Sequence, residues 1–176
     1  TKSLVDKMGG TIGVESQQGV GTTYTITLPF AIDNTAAEEP EQQTDLTVLQ
    51  GRRLLLAEDN ALNMEIVEFL LNEVGVKVTR AADGQQAVEA FAASPVGGFD
   101  AILMDVMMPV RDGHEATRAI RAMDRPDAKT IPIFAMTANA FTEDRRKALE
   151  SGMNEHLPKP IDPDTLYRLL VKYLTE

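Results

Sequence analysis

From residue 53 onward, short apolar runs alternate with stretches in which apolar residues recur every three or four positions. The runs at 53–57 (RLLLA), 76–80 (VKVTR), 100–104 (DAILM) and 131–136 (IPIFAM), with a shorter one at 155–157, predict five strands. Between and after them, residues 60–74, 84–93, 114–123, 141–150 and 164–174 predict helices. In the first helix, Leu62, Ile66, Phe69, Leu70 and Val74 read as its apolar face. Five strand–helix units in about 125 residues predict an α/β fold, a doubly wound five-stranded parallel sheet with helices on both faces. Right-handed crossovers leave few topologies.

The first 50 residues follow a different pattern. Leu4, Val5 and Met8 suit one face of a short helix that stops at Gly9-Gly10. Residues 11–16 and 22–30 alternate like the two strands of a hairpin. A helical turn and one hairpin are too small to fold alone. Their apolar residues, Ile12, Val14, Tyr24, Ile26 and Leu28 among them, are therefore expected to lie exposed. The stretch 31–50 has no aromatic residue and is rich in Glu, Gln, Thr and Ala, so it cannot bury enough apolar area to offset its ordering entropy. The predicted organisation is a helix–hairpin piece at 1–30, a linker at 31–51 and the α/β domain at 52–176.

Composition narrows the chemistry. The chain of 176 residues carries 17 basic and 27 acidic side chains, a net charge of −10, which argues against binding a nucleic-acid backbone. Without cysteine it has no disulfide, no thiolate nucleophile and no zinc–thiolate site, and its two histidines are too few for a histidine-rich metal site. No apolar run approaches the roughly 18 residues of a membrane helix, so no membrane contact is expected of this fragment. The N-terminal TKSLVDKMGG is not a signal peptide and lacks an initiating Met, which reads as a piece cut from a longer protein, and a cytoplasmic location is expected for this piece.

In a doubly wound sheet, chemistry sits outside the carboxyl ends of the strands. There the sequence places Glu58 and Asp59 after the first strand, Asp105 after the third, Thr137 after the fourth and Lys159 just past the fifth. Each has an ordinary reading: Asp59 or Asn60 as a helix N-cap, Asp105 as a turn residue, Thr137 as another cap, Lys159 as a solvated side chain. Their joint placement at successive strand ends points to a common site. Carboxylates about 4 Å apart repel by roughly 4 kcal/mol per pair at an effective dielectric near 20, so the cluster calls for a cation. All-oxygen ligands favour a hard ion, Mg²⁺ or Mn²⁺. Metal, ammonium and hydroxyl together suit the oxygens of a phosphoryl group, with one carboxylate left as nucleophile. Met104, Met107 and Met108 read as loop and core packing.

The segments LLLAEDN (54–60), LMDVMMPVRDG (103–113), IFAMTANA (133–140) and LPKPI (157–161) resemble a response-regulator receiver domain of two-component signalling. The resemblance implies a flavodoxin-like sheet in the order 2-1-3-4-5, with Asp105 as phosphoacceptor. It implies a Mg²⁺ site made by Glu58, Asp59, Asp105 and the backbone carbonyl of Met107. It implies Lys159 as the phosphoryl-binding lysine, Thr137 as the switch hydroxyl and His156 at the switch position where Tyr or Phe is usual. Arg111 stands where Met is common. Residues 1–30, with Gly19-Val20-Gly21-Thr22 as a final glycine box, resemble the C-terminal end of a histidine-kinase ATP-binding domain. Together they imply a hybrid sensor histidine kinase, whose parent could be membrane-anchored.

The expected function is phosphorelay, with a phosphohistidine on a kinase dimerisation domain or a histidine phosphotransfer protein as donor. The helix at 60–74 is a candidate docking face for that donor. The chain itself is expected to catalyse only its own phosphoryl transfer to Asp105 and its hydrolysis, not kinase chemistry. Self-association through residues 1–30 is a further expectation. Two alternatives stand beside this reading. A phosphatase of the haloacid dehalogenase type would need a second Asp two positions after Asp59, where Ala61 stands. A pseudo-receiver or flavin binder would need a lost acidic set or a phosphate-cradling loop after the first strand, and neither is present.

Overall fold

The protein is described by a computed structural model covering residues 2–7, 9–17, 19, 21–29, 45–138 and 142–175. It divides into two compact units, Thr1–Gln42 and Gln43–Glu176.

In the first unit, helix α1 (Lys2–Lys7) precedes an antiparallel hairpin of β1 (Thr11–Gln17) and β2 (Gly21–Thr27). The register opposes Ile12 to Ile26 and Val14 to Tyr24, which puts these four side chains on one face. Val14, Tyr24 and Ile26 are largely exposed, while Val5 of α1 is buried. Residues 30–44, which hold most of the expected linker, lie outside the described residues.

The second unit begins before the boundary expected at residue 52. Asp45 caps a 3₁₀ turn (Leu46–Leu49), accepting from the Thr47 backbone N–H at 3.0 Å. Leu49 is fully buried in the core of the sheet, with Leu46 and Val48 packed beside it. The stretch is polar enough to read as linker, yet three apolar residues in one short turn are sufficient to anchor it. Leu49→Ala is expected to destabilise this unit by about 2–4 kcal/mol through lost burial and the cavity left behind, measured as a lower urea midpoint.

The sheet of this unit has the order β4-β3-β5-β6-β7, all parallel. Its strands are β3 (Arg53–Ala57), β4 (Lys77–Ala81), β5 (Ala101–Asp105), β6 (Ile133–Thr137) and β7 (Glu155–Pro158). Counted within the unit this is 2-1-3-4-5, the flavodoxin-like arrangement that was expected. The strands run one residue past most of the apolar runs, because the hydrogen-bond ladder continues after the last buried apolar side chain. Asp105 and Thr137 are therefore the final residues of their strands.

The connections are α2 (Ala61–Glu73), α3 (Gly84–Ala93), α4 (Gly113–Arg121), α5 (Pro126–Thr130) and α6 (Thr142–Glu150), with α7 (Pro163–Leu174) closing the chain. Helices α2 and α7 cover one face with Met64, Val67, Leu71, Leu166 and Leu170, against Leu54, Leu56 and Leu103. Helices α3, α4 and α6 cover the other with Phe91, Ile120 and Ala148, against Leu55, Ile102 and Ile133. Successive strand residues thus alternate between two cores, which is why these strands read as continuous apolar runs.

The face assigned to α2 from the pattern is corrected. Its buried residues are Met64, Val67 and Leu71; of the expected face, Leu70 and Val74 do pack against this core, whereas Leu62, Ile66 and Phe69 are 65, 48 and 62% exposed. The helix carries two apolar stripes, and periodicity alone does not say which one meets the sheet. The five-residue α5 was not anticipated; its pattern is too short for a helical period to show.

Candidate functional site

Three of the five strands deliver acidic or basic groups to one rim. The loop after β3 carries Glu58 and Asp59, β5 ends in Asp105, and β7 is followed directly by Lys159. Oxygen atoms of Glu58, Asp59 and Asp105 all lie within 4.8 Å of one another. Glu58 and Asp105 are 2 and 4% exposed, and Asp59 is open to solvent.

Lys159 bridges the two buried acids. Its Nζ donates to Glu58 Oε2 at 2.6 Å and to Asp105 Oδ2 at 2.7 Å. The other Asp105 oxygen accepts from the Met107 backbone N–H at 3.1 Å. Burial pushes the Asp105 carboxyl above its usual range; the Lys159 and Met107 hydrogen bonds oppose this, and the Glu58 charge adds to it. Burial pushes Lys159 down, but its hydrogen bonds to Asp105 and Glu58 outweigh this and hold the ammonium above its ordinary value. Lys159 thus stays charged between two acids, one of which resists ionising.

Asn60, not Asp59, is the N-cap of α2: its Oδ1 accepts from the backbone N–H groups of Leu62 and Asn63 at 3.0 and 3.1 Å. The capping reading of Asp59 therefore falls away, leaving its carboxylate at the cluster. Asn63, which the sequence reading passed over, donates its Nδ2 to Glu58 Oε1 at 3.0 Å. The signal was present in an Asn one helical turn beyond an Asn cap, directly after an acidic pair.

Thr137 is buried at the end of β6, and its backbone carbonyl accepts from the Lys159 N–H at 2.8 Å, so the two expected phosphate-facing residues share a backbone link. His156 does not join the cluster. It lies on edge strand β7 beside Ala135, with Nδ1 3.6 Å from Glu155 Oε1 and no hydrogen-bond partner. The Met107 side chain is 79% exposed, Met108 and Met104 are in the core, and no thioether cluster forms among them.

The loop after Asp105 is held by close backbone approach. Gly113 opens α4 with its N–H on the Val106 carbonyl at 3.0 Å, and a Cβ there would stand 2.2 Å from the Asp105 carbonyl oxygen. Asp112 caps the helix by accepting from the Glu115 N–H at 2.7 Å. Just before the cap, the Arg111 N–H reaches the Pro109 carbonyl at 2.7 Å across Val110, whose φ of 66° is a strained value for a β-branched residue. Gly113→Ala must push α4 away from the strand end. It is expected to destabilise the unit by about 1–3 kcal/mol, read as a lower urea midpoint.

The donor set tests well for a hard divalent cation: clustered carboxylate oxygens with no sulfur or imidazole nitrogen among them. A doubly wound 2-1-3-4-5 sheet with such an acidic rim and a bridging lysine defines a receiver-type signalling domain. The family model for the response regulator receiver domain matches residues 54–171, and the chain belongs to that family.

Among curated relatives, the sensor protein EvgS of Escherichia coli O157:H7 is 36% identical over 166 residues, which is 94% of this chain and 13% of that protein. Hybrid signal transduction histidine kinase I of Dictyostelium discoideum is 40% identical over 131 residues, 71% of this chain and 8% of that protein. The chain thus spans a small part of the length of these relatives. Among solved structures, the receiver domain of sensor histidine kinase PA1611 from Pseudomonas aeruginosa PAO1, with magnesium in its active-site cleft, is 42% identical with a TM-score of 0.65. The match covers 72% of this chain and 99% of that one. The receiver domain of Ssk1 from Saccharomyces cerevisiae, in complex with the histidine phosphotransfer protein Ypd1, falls in a match with 29% identity and a TM-score of 0.64, over 72% of this chain and 90% of that one. The residues compared are those of a receiver domain of phosphorelay signalling, the kind carried by hybrid histidine kinases. The phosphatase and pseudo-receiver alternatives are not favoured. Among the described residues no helix is long and apolar enough to cross a membrane.

Proposed function

We propose that this chain accepts a phosphoryl group on Asp105 from a phosphohistidine, as one station of a phosphorelay inside a hybrid sensor histidine kinase. The observation that carries the reading is Lys159 Nζ within 2.7 Å of both Glu58 and Asp105 at the carboxyl rim of the sheet. Glu58, Asp59, Asp105 and the Met107 carbonyl would hold Mg²⁺, with Mn²⁺ a chemically equivalent choice. Bound there, the ion would supply positive charge against the transferring group. The Asp105 carboxylate oxygen attacks phosphorus, the P–N bond of the donor breaks, and its electron pair returns to the imidazole. The product is an acyl phosphate, which water later hydrolyses. Lys159 then exchanges one carboxylate contact for a phosphoryl oxygen, and Thr137 turns its hydroxyl toward another, repacking the surface around α6 and β7. His156 on β7 takes the place of the usual aromatic switch residue.

The donor is either the dimerisation and phosphoacceptor domain of a kinase or a histidine phosphotransfer protein. Its docking face is α2, where Leu62, Ile66 and Phe69 are exposed and Ile66 shares a cavity wall with Glu58 and Lys159. Residues 1–30 are the end of a kinase ATP-binding domain; the match to EvgS over 94% of the chain supports this. The exposed hairpin face is then the side that packs on the remainder of that domain, and in isolation it favours self-association. The deciding experiment is incubation with acetyl phosphate and Mg²⁺ followed by intact mass. The wild type is expected to gain one hydroxylamine-sensitive phosphoryl group, and no gain at any donor concentration overturns the reading.

A further inference from the structure

Glu58 is a buried carboxylate at 2% exposure, so each of its oxygens needs a donor. Lys159 serves Oε2 at 2.6 Å. Oε1 has the Asn63 Nδ2 at 3.0 Å and, more distantly, the Asn60 backbone N–H at 3.4 Å. Asn63 reaches it because the cap at Asn60 starts α2 there, and a side chain three residues on returns to the same face of the helix. The three-torsion Glu58 side chain is thereby gripped at both oxygens before any ion or phosphoryl group arrives.

Asn63 has a second relation. It lines a cavity of about 90 Å³ whose polar wall is Glu58, Asn63 and Lys159 and whose apolar wall includes Ile66, Val67 and Ile161. Ile66 belongs to the exposed stripe of α2, one turn from Asn63. The same residue thus touches the acidic cluster on one side and the outer face of α2 on the other.

We infer that Asn63 is a positioning residue for the acidic site: its carboxamide fixes the orientation of Glu58 and so sets the affinity of the cluster for a divalent cation. This rests on the proposed reading of the site as a Mg²⁺-binding phosphoacceptor. Without the Asn63 donor, Oε1 keeps only the long backbone contact, and Glu58 gains rotamers that turn it away from Asp59 and Asp105. The ordering that wild type has already supplied must then accompany metal binding. Groups that orient a metal ligand typically change affinity ten- to a hundredfold when removed.

The test is a Mg²⁺ titration of the full chain, without phosphodonor, followed by amide chemical shifts. Asn63→Leu removes the donor at similar size, Asn63→Ala removes it with a strong helix former, and Asn63→Gln retains the amide. Leu and Ala are expected to weaken Mg²⁺ binding about tenfold and Gln to recover much of the loss. In a Glu58→Gln background, Asn63→Leu should have no further effect, because the group it positions has lost its charge. Urea midpoints in EDTA identify any variant that fails to fold, and the Ala variant keeps the test decisive should Leu disturb α2. Wild-type affinity in both Asn63→Leu and Asn63→Ala overturns the inference, as does an equal loss in the Glu58→Gln background. A wild-type chain that shows no Mg²⁺ binding overturns instead the reading of the site on which the inference rests.

Discussion

Asp105→Asn is expected to take up no phosphoryl group from acetyl phosphate and Mg²⁺ under conditions that label the wild type fully. The amide at the end of β5 presents no carboxylate nucleophile, and the one other acid that shares Lys159, Glu58, has its second oxygen held by Asn63 on α2. Intact mass reads the loss directly, and labelling of the variant at any rate near wild type would assign the chemistry to another residue. The substitution also has a stability signature whose sign follows from the raised Asp105 carboxyl. A carboxyl that binds its proton more tightly folded than unfolded favours the fold fully below the unfolded range, near about 4, and that contribution is lost as pH rises through the folded value. Ionised Asp105 therefore costs the metal-free protein stability at neutral pH, and Asn does not. In EDTA the variant should have the higher urea midpoint at pH 7, with the difference closing as the pH falls below about 4. Adding Mg²⁺ should reverse the order, since an amide is the poorer ligand for a hard cation and stabilisation follows affinity.

Lys159→Ala has the opposite expected effect on the metal-free fold. It strips the ammonium from between Glu58 and Asp105 and leaves two acids, 2 and 4% exposed, facing each other with no countercharge. Removing one partner from a buried ion pair costs about 3–5 kcal/mol. Part of that is avoided when one acid binds a proton, so the loss should be largest near neutral pH and shrink in acid. Lys159 does not itself add pH dependence in this window. With its value raised, its stabilising charge is complete below the unfolded lysine value near about 10.4 and fades only above that. Mg²⁺ should restore much of the lost stability by taking over the countercharge. The variant should still be labelled on Asp105, more slowly, yet show a reduced amide-shift response to beryllofluoride, because no ammonium just past β7 then reaches the phosphoryl oxygens. A wild-type urea midpoint in EDTA would show that the two short contacts carry no net stability.

The particular elements of this chain separate what a linear sequence settles from what needs a packed structure. The five strands and the candidate chemistry at their ends were legible because a buried parallel strand is an unbroken apolar run, and a polar residue that ends it must face the rim. That local rule alone puts Glu58, Asp59, Asp105, Thr137 and Lys159 on one edge. It cannot pair them: Lys159 bridges Glu58 across 101 residues and Asp105 across 54, distances in sequence that only the sheet order β4-β3-β5-β6-β7 closes.

Helix α2 shows the complementary limit. Leu62, Ile66 and Phe69 repeat at helical spacing as well as Met64, Val67 and Leu71 do, and the second set is the one that packs with Leu54, Leu56 and Leu103 of the sheet. Leu49 lay hidden in a stretch whose average composition is polar, since one turn that buries a single leucine leaves no periodic trace. Asn63 left only its place one turn past the Asn60 cap as a trace, and it gains its meaning from the carboxylate it meets in space. What the chain determined by itself is therefore whatever depends on local period and on the ends of elements. What the tertiary structure decided is whatever depends on which of two equivalent faces is turned inward, and on contacts between groups that no local rule brings together.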